Sequence, residues 1–340
     1  MGSFVLIDWM SLGRRLPSAD QSQQILDRYG QEIRHALNVQ GERQYILPLD
    51  TVPEIIKKSF IQAEDKTFWA HRGVDWRALC RWPWTLLKSR GQTLSGGSTI
   101  TMQLSRIHWA RLRHFWHRPA QILQALRLER NYSKKEILEQ YLNTVPFGNK
   151  IAGVGAACYY FFDKDCSRLS LAESATLAIL PRNPSLIRNL SGLKKRRDNL
   201  LQQLLGDSDQ KLTEQAQHEP IKIVKKVPPF FAPHFTERVL ADNPEKTRAV
   251  IHTTIDLELQ KQIQNLLRTE TQTNLGTGDS GAVLVVDNQT GEILAYVGSP
   301  DFFETNHGMV DATAVKRSPG SALKPFVYEL ALENNWNLFS

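Results

Sequence analysis

The stretch Ala63-Glu64-Asp65-Lys66-Thr67-Phe68-Trp69-Ala70-His71-Arg72-Gly73 decides how the chain is read. Upstream of it Ile56, Phe60 and Ala63 recur at helical spacing, so an amphipathic helix leads into the stretch. That helix delivers two adjacent carboxylates to its C-terminal end, where unpaired carbonyls already make the surroundings electronegative. Beside the apolar rings of Phe68 and Trp69, a carboxylate so placed suits the work of a general base. The same residues also read as a solvated Glu-Asp pair, with Gly73 ending the helix.

Working outward, 340 residues leave room for two domains. Lys and Arg outnumber Asp and Glu by 42 to 35, and the resulting +7 favours anionic partners such as nucleic acid, a membrane surface or a phosphorylated lipid. No nucleic-acid-binding module or zinc-finger spacing is present, so nucleic acid is not expected. Cys80, Cys158 and Cys166 have no metal-site spacing and leave an odd thiol, so they do not identify the compartment. No apolar run reaches the length of a membrane-spanning helix. Residues 1–23, with the short apolar Ser3-Phe4-Val5-Leu6-Ile7-Asp8-Trp9-Met10, read as the remnant of a membrane anchor or juxtamembrane segment.

Residues 24–205 form the first expected domain. Ile25–Gly30 reads as a strand entering a turn and Gln44–Leu49 as a second extended piece; from about 53 onward the pattern is helical. Ser133 with Glu136, and Ser170 with Glu173, have the spacing of capping boxes, and Pro181 stops the second of those helices. Residues 206–247, polar and carrying Pro220, Pro228, Pro229 and Pro233, read as a linker with little core. From 248 to 340 the period changes: Ile251–Ile255 alternates, a helix is expected at about 257–270, and Ala282–Val286 and Ile293–Val297 flank Asn288-Gln289-Thr290-Gly291 as a hairpin.

Three further constellations carry chemistry. Gly96-Gly97-Ser98-Thr99-Ile100-Thr101-Met102-Gln103 is a glycine-rich loop entering a helix; it reads either as a flexible turn or as a phosphate cradle. Arg106, Arg111, Arg113, Arg118, Arg127, Arg130, Lys134 and Lys135 make a basic run, to which His108, His114 and His117 add latent charge. Such a run is either a solvated face or, with Trp109, Phe115 and Trp116 interleaved, a membrane-interface and lipid-phosphate site. Finally, Ser321 and Lys324 have the Ser-x-x-Lys spacing in which an amine activates a hydroxyl for acyl transfer.

Glu-Asp-x-x-Phe-x-x-His-x-Gly resembles the first motif of the bacterial cell-wall glycosyltransferases (glycosyltransferase family 51), the polymerising domain of class A penicillin-binding proteins. The glycine-rich loop resembles the second motif, with Met102 in place of a glutamine. Arg118-Pro119-Ala120-Gln121 resembles the third, with Gln121 at its acidic position. Tyr132-Ser133-Lys134 through Ile137-Leu138-Glu139, Tyr141-Leu142-Asn143 resembles the fourth, and Arg196-Arg197 before Leu200-Leu201 the fifth. Pro319-Gly320-Ser321-Ala322-Leu323-Lys324 resembles the acyl-serine motif of penicillin-binding transpeptidases. Met102, Gln121 and Arg317–Ser321 resemble the 1C type within the family.

The resemblance implies a mainly α, lysozyme-like glycosyltransferase domain followed by the start of a mixed α/β transpeptidase domain. It implies polymerisation of lipid II into glycan strands at the periplasmic face of the bacterial inner membrane. Lipid II, the growing strand and an anionic membrane surface are the expected partners, and moenomycin the expected inhibitor. Catalytic roles fall to Glu64, Asp65 and Gln121, and in the second domain to Ser321 and Lys324. Phe68, His71, Ser98, Thr99, Gln103, Arg106, Arg111, Arg113 and Arg118 are expected to bind substrate. No protein-bound metal site is expected; a divalent metal, Mg or Mn, could still bridge the donor diphosphate. Stable acylation of Ser321 is not expected without the rest of the transpeptidase pocket. Two other classes stay open: a lysozyme-like enzyme that cleaves finished glycan, and a non-enzymatic fragment that binds lipid II or cell wall.

Overall fold

The computed structural model describes residues 16, 20–80, 98–109, 118–243, 249–275, 281–304, 307–316 and 318–334. They fall into two compact units. The first is built mainly from His35–Pro229, and the second joins Ile25–Arg34 to the chain from Phe230 onward.

In chain order the elements are β1 (Gln24–Leu26), β2 (Glu32–His35), β3 (Arg43–Gln44), α1 (Glu54–Glu64), α2 (Ile100–His108), α3 (Arg118–Asn131), α4 (Lys134–Thr144), β4 (Pro146–Gly148), β5 (Ile151–Ala152), α5 (Val154–Phe162), α6 (Leu171–Ile179), α7 (Leu190–Leu205), α8 (Gln210–His218), α9 (Pro233–Asp242), β6 (Val250–His252), α10 (Leu257–Glu270), β7 (Val283–Val286), β8 (Ile293–Val297) and α11 (Lys324–Glu333).

The first unit is helical around one apolar core. α5 is apolar on nearly every side and buried along almost its whole length, as the central helix of such a core must be. α1 packs on α6 and α7, while α2 packs on α3 and α4. Ile56 and Phe60 of α1 are fully buried, Ala63 only partly, and the buried face continues instead to Glu64. Both expected capping boxes form: Ser133 accepts from the Glu136 amide, Ser170 from that of Glu173, and each glutamate reaches back. A small sheet of order β3-β5-β4 closes one edge of this unit. Cys158 and Cys166 are joined as a disulfide, leaving Cys80 free and exposed.

The second unit contains the expected hairpin, β7 antiparallel to β8 with Val283 opposite Val297. α10 lies against β8, where Gln260 both donates to the Tyr296 carbonyl and accepts from its amide. Its core gathers Ile25, Ile33, Ala232, Phe235, Ile255 and Tyr296.

Two expectations about boundaries need correction. β1 was assigned by its position in the chain to the first domain, yet it pairs with β2 and β6, and Ile25 and Ile33 bury against the second unit's core. The stretch 206–247 is not all linker: α8 buries Thr213 and Ala216, and α9 buries His234, Phe235 and Thr236. Pro233 sits in the first turn of α9, where its missing N–H costs no helical bond.

Gly73 ends the deciding stretch for a packing reason. It has φ +88°, and a Cβ there would stand 2.7 Å from the Ala125 carbonyl oxygen of α3. Gly41 has φ +76° but open space around it. Gly41→Ala should therefore cost about 1 kcal/mol, from backbone strain alone, and Gly73→Ala upward of ~2 kcal/mol, because the contact adds to the strain. Urea unfolding of the two variants checks this; equal losses would mean that the approach to α3 is not what requires glycine.

Candidate active site

α1 ends on Glu64, and Asp65 caps it. Both carboxylates are buried, so neither belongs to a solvated pair. They are held differently.

Asp65 is a structural anchor. Its Oδ2 accepts from the Ile100 amide at the start of α2 (2.9 Å) and from His71 Nε2 (2.9 Å). His71 Nδ1 in turn accepts from the Gly73 amide (3.1 Å), which assigns the ring proton to Nε2. Thr99 closes the loop: its hydroxyl donates to the Gly73 carbonyl (2.6 Å) and accepts from the Met102 amide (3.1 Å) as the cap of α2. One carboxylate therefore joins the end of α1 to the beginning of α2.

That junction brings Gln103, one turn into α2, to Glu64. Gln103 Nε2 donates to Glu64 Oε2 (2.8 Å), and the same oxygen accepts from Arg182 Nε (3.0 Å). Gln103 Oε1 accepts from the Tyr141 hydroxyl (3.3 Å), which fixes which way the amide faces. Burial, followed by the charge of Glu64, holds the Tyr141 hydroxyl well above its ordinary pKa, so it stays a neutral donor. The other oxygen, Glu64 Oε1, is buried and has no hydrogen-bond partner. An unpaired carboxylate oxygen inside a protein is costly and uncommon, and it is the atom able to take a proton from a bound hydroxyl.

Cations lie alongside. Arg106 donates to the Ser98 hydroxyl (2.9 Å). Burial, and then the nearby charge of Arg118, lowers the Arg106 pKa, while Tyr141 and Glu64 oppose the shift. Burial also lowers the Arg118 pKa. A partly desolvated Arg106 that is further disfavoured by the charge of Arg118 suits a neighbouring anion. His108 does not add to this charge at neutral pH, because burial pulls its pKa down to about 4.

Other expected residues take different places. Phe68 was expected to touch substrate but has no exposed surface; its ring lies against Trp69 and His71, with Lys134 Nζ 4.4 Å from its centroid. Met102 packs with Val74 and Ala125, an apolar pocket that suits a methionine. Gln121 is buried on α3, whereas the groups that hold Glu64 come from α2 and Arg182. Arg111 and Arg113 lie outside the described residues, as do Phe115 and Trp116. Ser321, in the turn before α11, and Lys324, its first residue, are both exposed and belong to the second unit.

The donor set fits a divalent metal poorly. Gln121 offers an amide that cannot balance a dication, and Glu129 Oε1 already accepts from Thr101 and Lys134 at 2.6 Å each. Among the described residues no group of three His, Cys, Asp or Glu side chains could hold a metal.

Arg182 is the residue that sequence reasoning missed. It lies 118 positions from Glu64 in the chain, just after the proline that stops α6, and nothing around it signals a role.

Similarity to known proteins identifies the family. The transglycosylase family model matches residues 29–205, more than half of the chain, and the penicillin-binding protein transpeptidase domain model matches residues 281–338. The chain is 34% identical to penicillin-binding protein 1C of Escherichia coli over 86% of its own length and 38% of that protein. It is 29% identical to penicillin-binding protein 1F of Bacillus subtilis, over 92% of this chain and 46% of that one. It therefore spans less than half the length of these relatives. The helical unit is the lysozyme-like domain expected from the motifs. The chain belongs to the transglycosylase family.

Proposed function

We propose that this chain is a peptidoglycan glycosyltransferase that polymerises lipid II, with Glu64 as general base. The observation that carries the reading is the buried, unpaired Oε1 of Glu64 beside an otherwise satisfied Oε2. Oε1 takes the proton from the 4-hydroxyl of the acceptor lipid II as that oxygen attacks the anomeric carbon of the growing strand. The carbon inverts, and undecaprenyl diphosphate leaves. Arg106 and Arg118, with Ser98 held on Arg106, balance the charge that builds on the leaving diphosphate. Arg111 and Arg113, which lie outside the described residues, are expected from the motifs to bind substrate as well. Asp65, His71 and Thr99 hold the base at the mouth of α2 without taking part in proton transfer. With Gln121 in place of an acid, cations alone stabilise the leaving group.

The substrate is lipid-borne, so the reaction belongs at the periplasmic face of the bacterial inner membrane, and moenomycin should inhibit it. No helix among the described residues is long and apolar enough to cross a membrane. The basic surface is suited to an anionic one. In the second unit, Ser321 and Lys324 keep the spacing of an acyl-transfer pair, but stable acylation of Ser321 is not expected.

Glu64→Gln should lower lipid II polymerisation by about 100-fold or more, since it removes general-base catalysis, while leaving the melting temperature nearly unchanged. A variant that kept more than about a tenth of the rate would remove Glu64 from the mechanism. Asp65→Asn should behave differently. It weakens the tie to His71 and the Ile100 amide and should cost about 1–3 kcal/mol in denaturant unfolding. If Asp65→Asn lost activity at full stability, Asp65 would be part of the chemistry and not the scaffold.

A further inference from the structure

The extended strap that follows α8 is bonded to the end of α5. A helix leaves its last carbonyls without partners of its own, and here the strap supplies them. The Val224 amide donates to the Phe161 carbonyl (2.8 Å), and the Lys226 amide to that of Tyr160 (2.9 Å). Lys226 Nζ also pairs with Asp163 Oδ1 (2.7 Å) and stands 3.9 Å from the centroid of the Tyr159 ring. Ile221 and Ile223 pack against the core of the same unit.

The turn that receives the strap is also the turn closed by the disulfide. Cys158 lies on α5 one turn before its end, and Cys166 follows three residues after Asp163. Asp163 stands between them and ends α5 with φ +52°, in the left-handed region that favours glycine. A residue with a side chain is held there by its surroundings. On one side of it is the disulfide, and on the other is Lys226 of the strap.

We propose that Cys158–Cys166 is a redox latch on the strap. Oxidised, it fixes the turn at Asp163 and so seats Val224 and Lys226 on α5; reduced, it lets them leave. Closing the latch converts two thiols into one S–S bond, and the two electrons and two protons pass to a disulfide-bearing acceptor, which becomes a dithiol. A dithiol donor reverses the step. Both cysteines are buried, so an attacking thiolate reaches sulfur only when the turn opens. The coupling is therefore reciprocal: the bond steadies the strap, and the seated strap shields the bond. The latch is separate from the Glu64 site and independent of what that site polymerises.

A peptide map of the full chain, after incubation with oxidised glutathione, should recover Cys158 and Cys166 as one linked species; recovery as separate glutathione adducts or alkylated thiols overturns the pairing. Amide hydrogen exchange then compares the oxidised protein with the Cys158→Ala/Cys166→Ala double variant. Val224 and Lys226 should exchange at least about tenfold faster in the variant, with Leu177 of α6 changed by less than about twofold. Unchanged protection of the strap, or an equal rise at Leu177, would make the bond a general staple and overturn the latch. A second variant keeps both cysteines and tests the reverse direction. Val224→Pro, at an exposed residue, deletes the bond to the Phe161 carbonyl. Dithiothreitol should then reduce Cys158–Cys166 at least about fivefold faster than in the unmodified protein. An equal rate overturns the coupling between strap and bond, whether or not the double variant folds.

Discussion

The bond from the Ile100 amide to Asp65 Oδ2 is the constraint on which the site depends. It holds the first turn of α2 at the end of α1, and every later contact follows from that placement. Gln103 can reach Glu64 only because its helix begins there, and Tyr141 of α4 can orient the amide only because α2 packs on α4. Adjacent carboxylates thus divide the work. Asp65 spends its oxygen on structure, which leaves Glu64 one oxygen without a partner. A buried, unpaired acceptor is tolerated where function requires it, and the dense packing around Ile56, Phe60 and Phe68 provides the stability that offsets it.

Much of this was legible because it is local. Capping boxes at Ser133 and Ser170, the helix at Leu257–Glu270 and the hairpin around Asn288–Gly291 rest on spacings of a few residues, and those spacings carry their own geometry. Asp65 and His71 lie within one motif, but their hydrogen bond was not read from it, since Asp65 was expected in catalysis and His71 on substrate. What was not legible depends on distant parts of the chain. β1 joins β6 more than 220 positions away, and Arg182 meets Glu64 across a helix end. Burial was equally hidden: Phe68 looks like a substrate-facing ring, and His108 looks like a latent cation, until the neighbours that cover them are known.

Met102 and Gln121, the departures from the family motifs, have different physical meanings. Met102 fills an apolar pocket with Val74 and Ala125, so the change is one of packing. Gln121 removes a charge. The remaining carboxylate on that helix, Glu129, is committed to Thr101 and Lys134, so in the proposed reaction Arg106 and Arg118, not an acid of that helix, meet the leaving group. A diphosphate leaving group can be met by guanidinium charge alone, through bidentate and Coulombic contact.

The most direct measurement is the product formed from fluorescent lipid II by the unmodified chain in detergent, with and without moenomycin. The account predicts glycan strands that disappear when moenomycin is added. A chain that melted cooperatively and bound lipid II, yet formed no strands or released only short cleaved glycan from finished polymer, would contradict it.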